Sequence, residues 1–290
     1  MSQAAPSPIM VGVDGSQPSL SACDWAAREA RLRGRPVRVV YGYLGPTLAM
    51  PLAAPPYDWL PEQLRREAEA IVASGVAAVR AAAPEVAVTG EALAGAPGAL
   101  LSQLSRHAYL LVVGHRGHGG FAALLLGSVP ATVVAHAQAP VVVVRQGPAA
   151  AGRPLPVVVG VDGSPASLAA LRFGFEEAAL RGVALEAVYV YAPPPPPWRA
   201  DVHYDPAEVE AAERHTLVEW VEPYRAEHPG VPVRYRLAAG HPAERLIAAS
   251  RDAELLVVGS RGRGGFTGLL LGSVSQQAVR YAGCPVAVVR

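Results

Sequence analysis

The chain has 290 residues, enough for two domains that each bury a hydrophobic core. Hydrophobic residues make up 51% of it and charged residues 17%, which excludes an intrinsically disordered protein. The net charge of +1 gives no electrostatic reason for a nucleic-acid or anionic-membrane partner, and no apolar run reaches the roughly 18 residues of a membrane span.

Strand and helix patterns alternate along the first half of the chain. Short runs of β-branched apolar residues predict buried strands at residues 9–13, 37–40, 110–113 and 141–144. A weaker strand candidate covers residues 86–93. Residues 19–33 carry apolar side chains at helical spacing and are followed by Gly34, a typical helix stop. A further helical pattern covers residues 129–137.

The second half repeats this order of elements. Its strand candidates are residues 157–161, 185–190, 231–237, 255–258 and 286–289. Its helical patterns cover residues 167–181, which precede Gly182, and residues 274–282. Strands that alternate with helices predict parallel sheets with right-handed crossovers. The fold class is therefore α/β, with two Rossmann-like domains that are each a five-stranded parallel sheet with helices on both faces.

The two halves also repeat each other in sequence. The segment VGVDGS at residues 11–16 recurs at residues 159–164. The segment LLVVGHRGHGGFAALLLGSV is matched in the second half by LLVVGSRGRGGFTGLLLGSV. Residues 146–154, between the copies, are rich in Pro, Gly and Ala and have no periodic pattern, as is typical of a linker. We predict two domains, residues 1–148 and 153–290.

An aspartate follows the first strand of each half, at Asp14 and Asp162. In parallel α/β sheets, ligands bind beyond the carboxyl ends of the strands, where the strand order reverses. The loop after the fourth strand lies at the same edge. The aspartates either contact a ligand there or only stabilise the turn that leaves the strand.

The loop after the fourth strand has the pattern Gly-x2-Gly-x9-Gly-Ser in both halves. Its members are Gly114, Gly117, Gly127 and Ser128 in the first half, and Gly259, Gly262, Gly272 and Ser273 in the second. A glycine after a strand can adopt a positive φ, and successive N–H groups of such a turn form an anion site. The serine precedes a helix, whose N-terminus favours a phosphate. Alternatively, the glycines form tight turns and the serines are plain N-caps.

Basic side chains lie within the same loops. Arg116, Arg261 and Arg263 either clamp phosphate oxygens or are solvated loop arginines. His115 and His118 are three residues apart, but no Cys, Asp or Glu lies near enough in the sequence to complete a metal site. No metal ligand is therefore predicted among the side chains.

These features together resemble the tandem universal stress proteins of the ATP-binding subclass, in the arrangement of the actinobacterial members. That subclass is marked by Gly-x2-Gly-x9-Gly-(Ser/Thr), which both halves match, and by an aspartate at the end of the first strand. The resemblance covers essentially the whole chain. It implies one adenine nucleotide, ATP, with Mg²⁺ bound through the nucleotide, and pairing of domains through the last strand.

The resemblance, together with the other residues of the two loops, gives the predicted nucleotide contacts. In the first half these are Gly12, Asp14, Gly114, His115, Arg116, Gly117, His118, Gly119, Gly127, Ser128 and Val129. In the second half they are Gly160, Asp162, Val190, Gly259, Ser260, Arg261, Gly262, Arg263, Gly264, Gly272, Ser273, Val274 and Ser275. The glycine loops and the Gly-Ser-Val segments would hold phosphates and ribose, and the aspartates would lie beside the nucleoside.

The halves differ at two of these positions. Val190 is expected against the adenine, whereas the first half has Gly42 at the equivalent place. Ser275 offers a hydroxyl where the first half has Pro130, which is tolerated in a first helical turn. Gly12 and Gly160 are expected to let the backbone approach the nucleoside.

The predicted function is nucleotide-dependent regulation of a stress response, without fast catalysis. Neither half has a P-loop lysine or a paired general base, so ATP hydrolysis or adenylyl transfer would at most be slow. Another alternative is a sensor of a cyclic or monophosphate adenine nucleotide. We also expect a homo-oligomer through the terminal strands, and a regulatory protein as a further partner. The chain start lacks the pattern of a signal peptide, so a cytoplasmic protein is predicted.

Overall fold

The computed structural model describes residues 6–44, 62–118, 125–145, 154–192, 205–264 and 270–290. The chain forms two compact units that divide between Gln146 and Gly147. Each is a five-stranded parallel sheet with helices on both faces, which confirms the predicted fold class. No helix in the described ranges combines the length and the apolar character that crossing a membrane requires.

The first unit follows the predicted alternation of strands and helices. Its elements are β1 (Ile9–Val13), α1 (Gln17–Arg33), β2 (Val37–Tyr43), α2 (Glu62–Ala82), β3 (Val88–Ala94), α3 (Pro97–Leu104), β4 (Leu110–Gly114), α4 (Ser128–His136) and β5 (Val141–Val144). The strands are ordered β3-β2-β1-β4-β5 in the sheet. This order reverses between β1 and β4.

The second unit repeats that arrangement. Its elements are β6 (Val157–Val161), α5 (Pro165–Arg181), β7 (Leu185–Tyr191), α6 (Pro206–Glu227), β8 (Val233–Ala239), α7 (Pro242–Ala249), β9 (Leu255–Gly259), α8 (Ser273–Tyr281) and β10 (Val286–Val289). The strand order is β8-β7-β6-β9-β10, with the reversal between β6 and β9.

Adjacent residues of β1 point to opposite helical layers. A Cβ atom added at Gly12 would lie 2.6 Å from Leu101 of α3. Val13, the next residue, faces the other layer, because its Cγ1 lies 3.2 Å from the Cβ position of Gly75 in α2. The central strand is therefore covered on both sides, which is why it consists of apolar and small residues only.

Helices α1 and α5 begin and end by the same devices. The side chains of Ser16 and Ser164 accept a hydrogen bond from the N–H three residues on, the usual N-cap contact. Gly34 and Gly182 end the helices with left-handed backbone, at φ +60° and +65°. The predicted stop signals are thus confirmed, while both helices start two residues earlier than the apolar pattern alone indicated.

Candidate functional site

The carboxyl ends of the two strands at the reversal point bring the aspartate and the glycine loop of each unit together. Asp14 follows β1 and Gly114 ends β4, its neighbour in the sheet. We call the region formed by Asp14, residues 114–118 and the first turn of α4 site one. Site two is its counterpart, formed by Asp162, residues 259–263 and the first turn of α8.

Each aspartate carboxylate links the turn after the first strand to the glycine loop. In site one, Asp14 Oδ1 accepts from the N–H of Ser16 at 3.0 Å, and Oδ2 accepts from the N–H of His118 at 3.0 Å. In site two, Asp162 accepts from the N–H of Ser164 and from that of Arg263, each at 3.0 Å. The sequence predicted that the aspartate and the glycine loop lie at the same edge of the sheet. The hydrogen bonds to His118 and Arg263 show that the two segments are in direct contact.

These bonds fix the charge of both carboxylates. Burial by itself would raise the pKa of Asp14, but the hydroxyl and N–H of Ser16 and the N–H of His118 outweigh it, so the pKa is lowered. Asp162 shows the same balance, with Ser164 and Arg263 as donors and again a lowered pKa. Both groups are anionic at neutral pH.

The lowered pKa values predict how stability depends on pH. Because the folded state favours the charged carboxylates, their contribution is present above the ordinary aspartate pKa of about 3.9 and is lost as the pH falls through the lower folded values. The urea midpoint should therefore decline below about pH 4. In the Asp14→Asn/Asp162→Asn double variant, that decline should be shallower than in the parent chain. An identical decline in both proteins would assign it to other carboxylates.

The glycines of the loop are required by close packing and not by a positive φ, contrary to our expectation. A Cβ atom at Gly114 would lie 2.7 Å from the carbonyl of Pro18, and one at Gly259 would lie 2.7 Å from the carbonyl carbon of Ala166. At Gly117 and Gly262 it would overlap the Oδ2 atom of the site aspartate. None of these four is among the described glycines with positive φ.

The serines after the third glycine are not N-caps, which corrects that alternative. Helices α4 and α8 begin at Ser128 and Ser273, and Gly127 and Gly272 occupy the N-cap positions with extended backbone. The N–H of Gly127 donates to the carbonyl of His115 at 2.9 Å, and that of Gly272 to Ser260 at 2.8 Å. The loop is thereby closed onto the start of the helix. Both serine side chains are exposed, and Val129 and Val274 are half-buried.

Two of the residues predicted for site two have buried side chains. Ser275 is 1% exposed, and its hydroxyl lies 3.1 Å from the carbonyl of Ser260 and 2.9 Å from that of Gly272, within reach of either. Ser260 is also buried. The Ser275 hydroxyl braces the loop from inside, and the contact of both residues with a nucleotide stays a prediction.

Packing against helices explains three further glycine positions. The spaces above Gly12 and Gly160 are filled by Leu101 and Leu246, 2.6 Å and 2.8 Å from the added Cβ. Gly42 has Pro97 Cα 2.9 Å from its Cβ position, so the missing side chain makes room for the start of α3. These glycines serve helix packing. Their approach to a nucleoside, and the contact of half-buried Val190 with a base, stay predictions.

The remaining predicted residues lie on the surface of the loop. Arg116, His118, Arg261 and Arg263 are exposed, as is Gly264. Gly119 lies outside the described residues. The ring of His115 is half-buried, and its pKa is lowered by burial and by the positive charges of Arg145 and Arg116.

The aromatic and apolar side chains beside the aspartates were not among the predicted site residues. Burial and the Asp14 carboxylate both raise the pKa of Tyr41, which places this tyrosine near the aspartate. In the second unit Tyr189 packs edge-on against Trp220, with ring centres 5.1 Å apart. Trp220 also covers Gly163, whose added Cβ would lie 2.5 Å from the indole.

One signal in the sequence could have found the tyrosines. Tyr41 pairs with Val13 and Tyr189 with Val161, so each stands level with the last residue of the first strand. The two tyrosines therefore hold equivalent positions in the repeat. No such signal identifies Trp220, because the first unit has no matching aromatic residue. The equivalent helix there places Ile71 near Gly15.

The comparisons with known proteins agree with this architecture. The sequence profile of the universal stress protein family matches residues 7–145 and 155–290. A universal stress protein of Mycobacterium tuberculosis is 38% identical over 97% of this chain and 94% of its own length. One from Mycolicibacterium smegmatis is 37% identical over 97% and 96% of the two chains.

A solved structure shares the fold of the whole chain. The crystal structure of a universal stress protein from Archaeoglobus fulgidus aligns with a TM-score of 0.73, over 98% of both chains, at 20% identity. At that identity the likeness shows the fold alone. The family profile covers both units, and the mycobacterial relatives match along nearly their full length. The chain belongs to the universal stress protein family.

Proposed function

We propose that each unit binds one adenine nucleotide, ATP with its magnesium ion, and that the chain is a nucleotide-dependent regulator of a stress response. The observation that carries this proposal is the duplicated contact between the site aspartate and the glycine loop. The same contact, at the same distance, occurs in both units at the point where the strand order reverses, which is where α/β sheets bind ligands.

The first turn of α4 supports an anionic ligand in site one. The first N–H groups of a helix have no partner within the helix, and the helix dipole adds partial positive charge there. Because Pro130 has no N–H, α4 offers the N–H groups of Ser128 and Val129. Ser128 and Arg116 are both exposed, and the Arg116 backbone lies beside the start of α4, its Cα 3.5 Å from the Cβ position of Gly127. This donor set suits phosphate oxygens.

The magnesium ion would enter with the nucleotide. Among the described residues, no three His, Cys, Asp or Glu side chains lie close enough to hold a metal ion. The phosphates of the ligand would therefore supply the main coordination. A bound Mg²⁺ neutralises part of the phosphate charge and lets two or more phosphates lie in one site.

The first test of the proposal is the number of nucleotides bound. We expect two per chain, because the loop and its aspartate occur once in each unit. Isothermal titration of the full chain with Mg-ATP should reach this stoichiometry, and mass analysis of co-purifying small molecules should find an adenine nucleotide. A titration that detects no nucleotide binding would contradict the proposal. Preferential binding of a cyclic or monophosphate form would favour the sensor alternative.

Turnover of the bound nucleotide should be slow. The site aspartates are held by backbone N–H groups through both oxygens, so neither is positioned as a free general base. We therefore expect ATP hydrolysis far below the roughly 10 per second of a median enzyme. A steady-state phosphate-release assay on the purified chain measures this. Several turnovers per second, lost in Asp162→Asn, would instead make the protein a hydrolase.

Regulation requires that nucleotide binding at the two sites changes the assembly of the chain or its binding to another protein. We propose that the terminal strands, β5 and β10, take part in assembly, and that a protein partner recognises the nucleotide-bound state. Short apolar strands at the end of each sheet need cover, which is the physical reason for the first of these. We propose a cytoplasmic location for the protein.

A further inference from the structure

The residue after each Gly-x2-Gly turn makes the same backbone hydrogen bond in both sites, but its side chain differs in charge. This residue is His118 in site one and Arg263 in site two. The N–H groups of His118 and Arg263 make equivalent 3.0 Å bonds to the site aspartates. The imidazole Nδ1 of His118 lies 3.9 Å from Asp14 Oδ1, whereas the Arg263 guanidinium lies over Trp220, 5.6 Å from the ring centre. Histidine changes its charge near neutral pH and arginine does not.

We propose that His118 makes the nucleotide affinity of site one depend on pH, whereas Arg263 keeps that of site two nearly constant. This inference rests on the proposed function and adds a regulatory property to it. A protonated His118 adds a positive charge to the loop that would hold the phosphates, and a neutral His118 removes it. Acidification then strengthens binding at site one relative to site two.

The ring of His118 is placed so that it can respond to solvent and to a ligand. It is 67% exposed, and its Cε1 lies 3.7 Å from the Cβ position of Gly15, at the turn after β1. In the second unit, the space over the corresponding Gly163 is taken by Trp220. Site one thus has an exposed imidazole beside its carboxylate and Ile71 over the turn glycine, whereas site two has an indole with a permanent cation above it.

The other titratable groups near His118 do not explain a change of charge at site one near neutral pH. Asp14 has a lowered pKa and Tyr41 a raised one, so the first stays anionic and the second neutral across the physiological range. Among the described residues, the Glu67 carboxylate on α2 acts on Tyr41, and the Arg116 guanidinium on the loop acts on His115. His115 lies on the same loop, but burial, Arg145 and Arg116 lower its pKa, so it stays neutral until the solution is more acidic.

The test measures the two sites separately in the full chain. Gly262→Val leaves site one and Gly117→Val leaves site two, and each variant is titrated with Mg-ATP between about pH 8 and about pH 5.5. Protonation of the nucleotide itself acts on both sites, so the quantity compared is the ratio of the two affinities. We expect this ratio to shift toward site one by about threefold to tenfold on acidification.

Exchanging the two side chains provides matched controls. His118→Arg should give site one the pH dependence of site two, and Arg263→His should give site two the pH dependence of site one. His115→Ser, which copies Ser260 of the second unit, should leave the pH dependence in place. Circular dichroism melting curves verify that each variant is folded.

The outcomes separate this inference from the function on which it rests. If both sites bind Mg-ATP and their affinity ratio is independent of pH, the inference is wrong and the proposed function stands. A pH-dependent shift of the affinity ratio toward site one that survives in His118→Arg also overturns it. If neither site binds the nucleotide at any pH, the proposed function is wrong and the inference falls with it.

Discussion

Valine in place of Gly117 or Gly262 should remove nucleotide binding from one site and leave the other intact. A Cβ atom at either position would overlap Oδ2 of the site aspartate. The carboxylate cannot move aside freely, because its Oδ1 is held by the N–H of Ser16 or Ser164. The loop must shift instead, and its N–H groups lose their arrangement. We expect the affinity of that site to fall about a hundredfold or more, the loss of two charge-assisted hydrogen bonds.

Gly264 offers a matched control for this experiment. It lies two residues from Gly262 on the same loop, yet a Cβ atom there would meet no described atom within 4 Å, and its φ is not among the positive values of the described glycines. Gly264→Ala should therefore lower the affinity far less than Gly262→Val in calorimetric titration. Equal affinities for Gly262→Val and Gly264→Ala would contradict the assignment of this loop to the ligand.

Local patterns were sufficient to predict most of the fold. Buried parallel strands are apolar throughout, and Gly34 and Gly182 mark helix ends, so both signals are visible in the sequence. The predicted edge strands began two residues too early. The N–H groups of Val86 and Val231 donate to the carbonyls of Ala83 and His228, so these residues belong to turns that leave the preceding helix. A β-branched residue in such a turn cannot be told from the first residue of a strand.

The site was predictable in its parts but not in its packing. Strand order alone places Asp14 beside the loop that begins at Gly114, since both follow neighbouring strands. Which atoms each glycine must avoid depends on segments distant in sequence, such as Leu101 for Gly12. Trp220 lies about halfway between Asp162 and Gly272 in sequence, and no local pattern connects it to either. Tertiary contacts of this kind leave no trace in periodicity or spacing.

A buried carboxylate in each unit also escaped the sequence analysis. Glu29 of α1 and Glu177 of α5 are 1% and 0% exposed, although glutamate in a surface helix is ordinarily solvated. Each is paired with an arginine four residues later, Arg33 or Arg181. Both arginines stand directly before the helix-ending glycine, at the end of the helix where the dipole favours a cation.

Breaking the second of these pairs should have the largest effect on stability. Arg181→Met removes the guanidinium from a carboxylate that has no exposed surface, and burying a charge without its counter-ion is costly. We expect the free energy of unfolding of the second unit to fall by about 3 to 5 kcal/mol, measured by urea denaturation. The parent chain and each variant are compared at neutral pH, where the carboxylate is charged in the unfolded state.

Two further variants distinguish burial from the mere loss of an ion pair. Arg225 and Glu222 form an exposed pair on α6, with side chains 53% and 43% exposed, so Arg225→Met should change stability by less than about 1 kcal/mol. The double variant Glu177→Met/Arg181→Met removes both buried charges and fills the same space with apolar atoms. It should recover most of the loss, because a well-packed apolar pair can replace a buried ion pair at little cost. If Arg181→Met were no more destabilising than Arg225→Met, the buried carboxylate would have to be neutral or held by other donors.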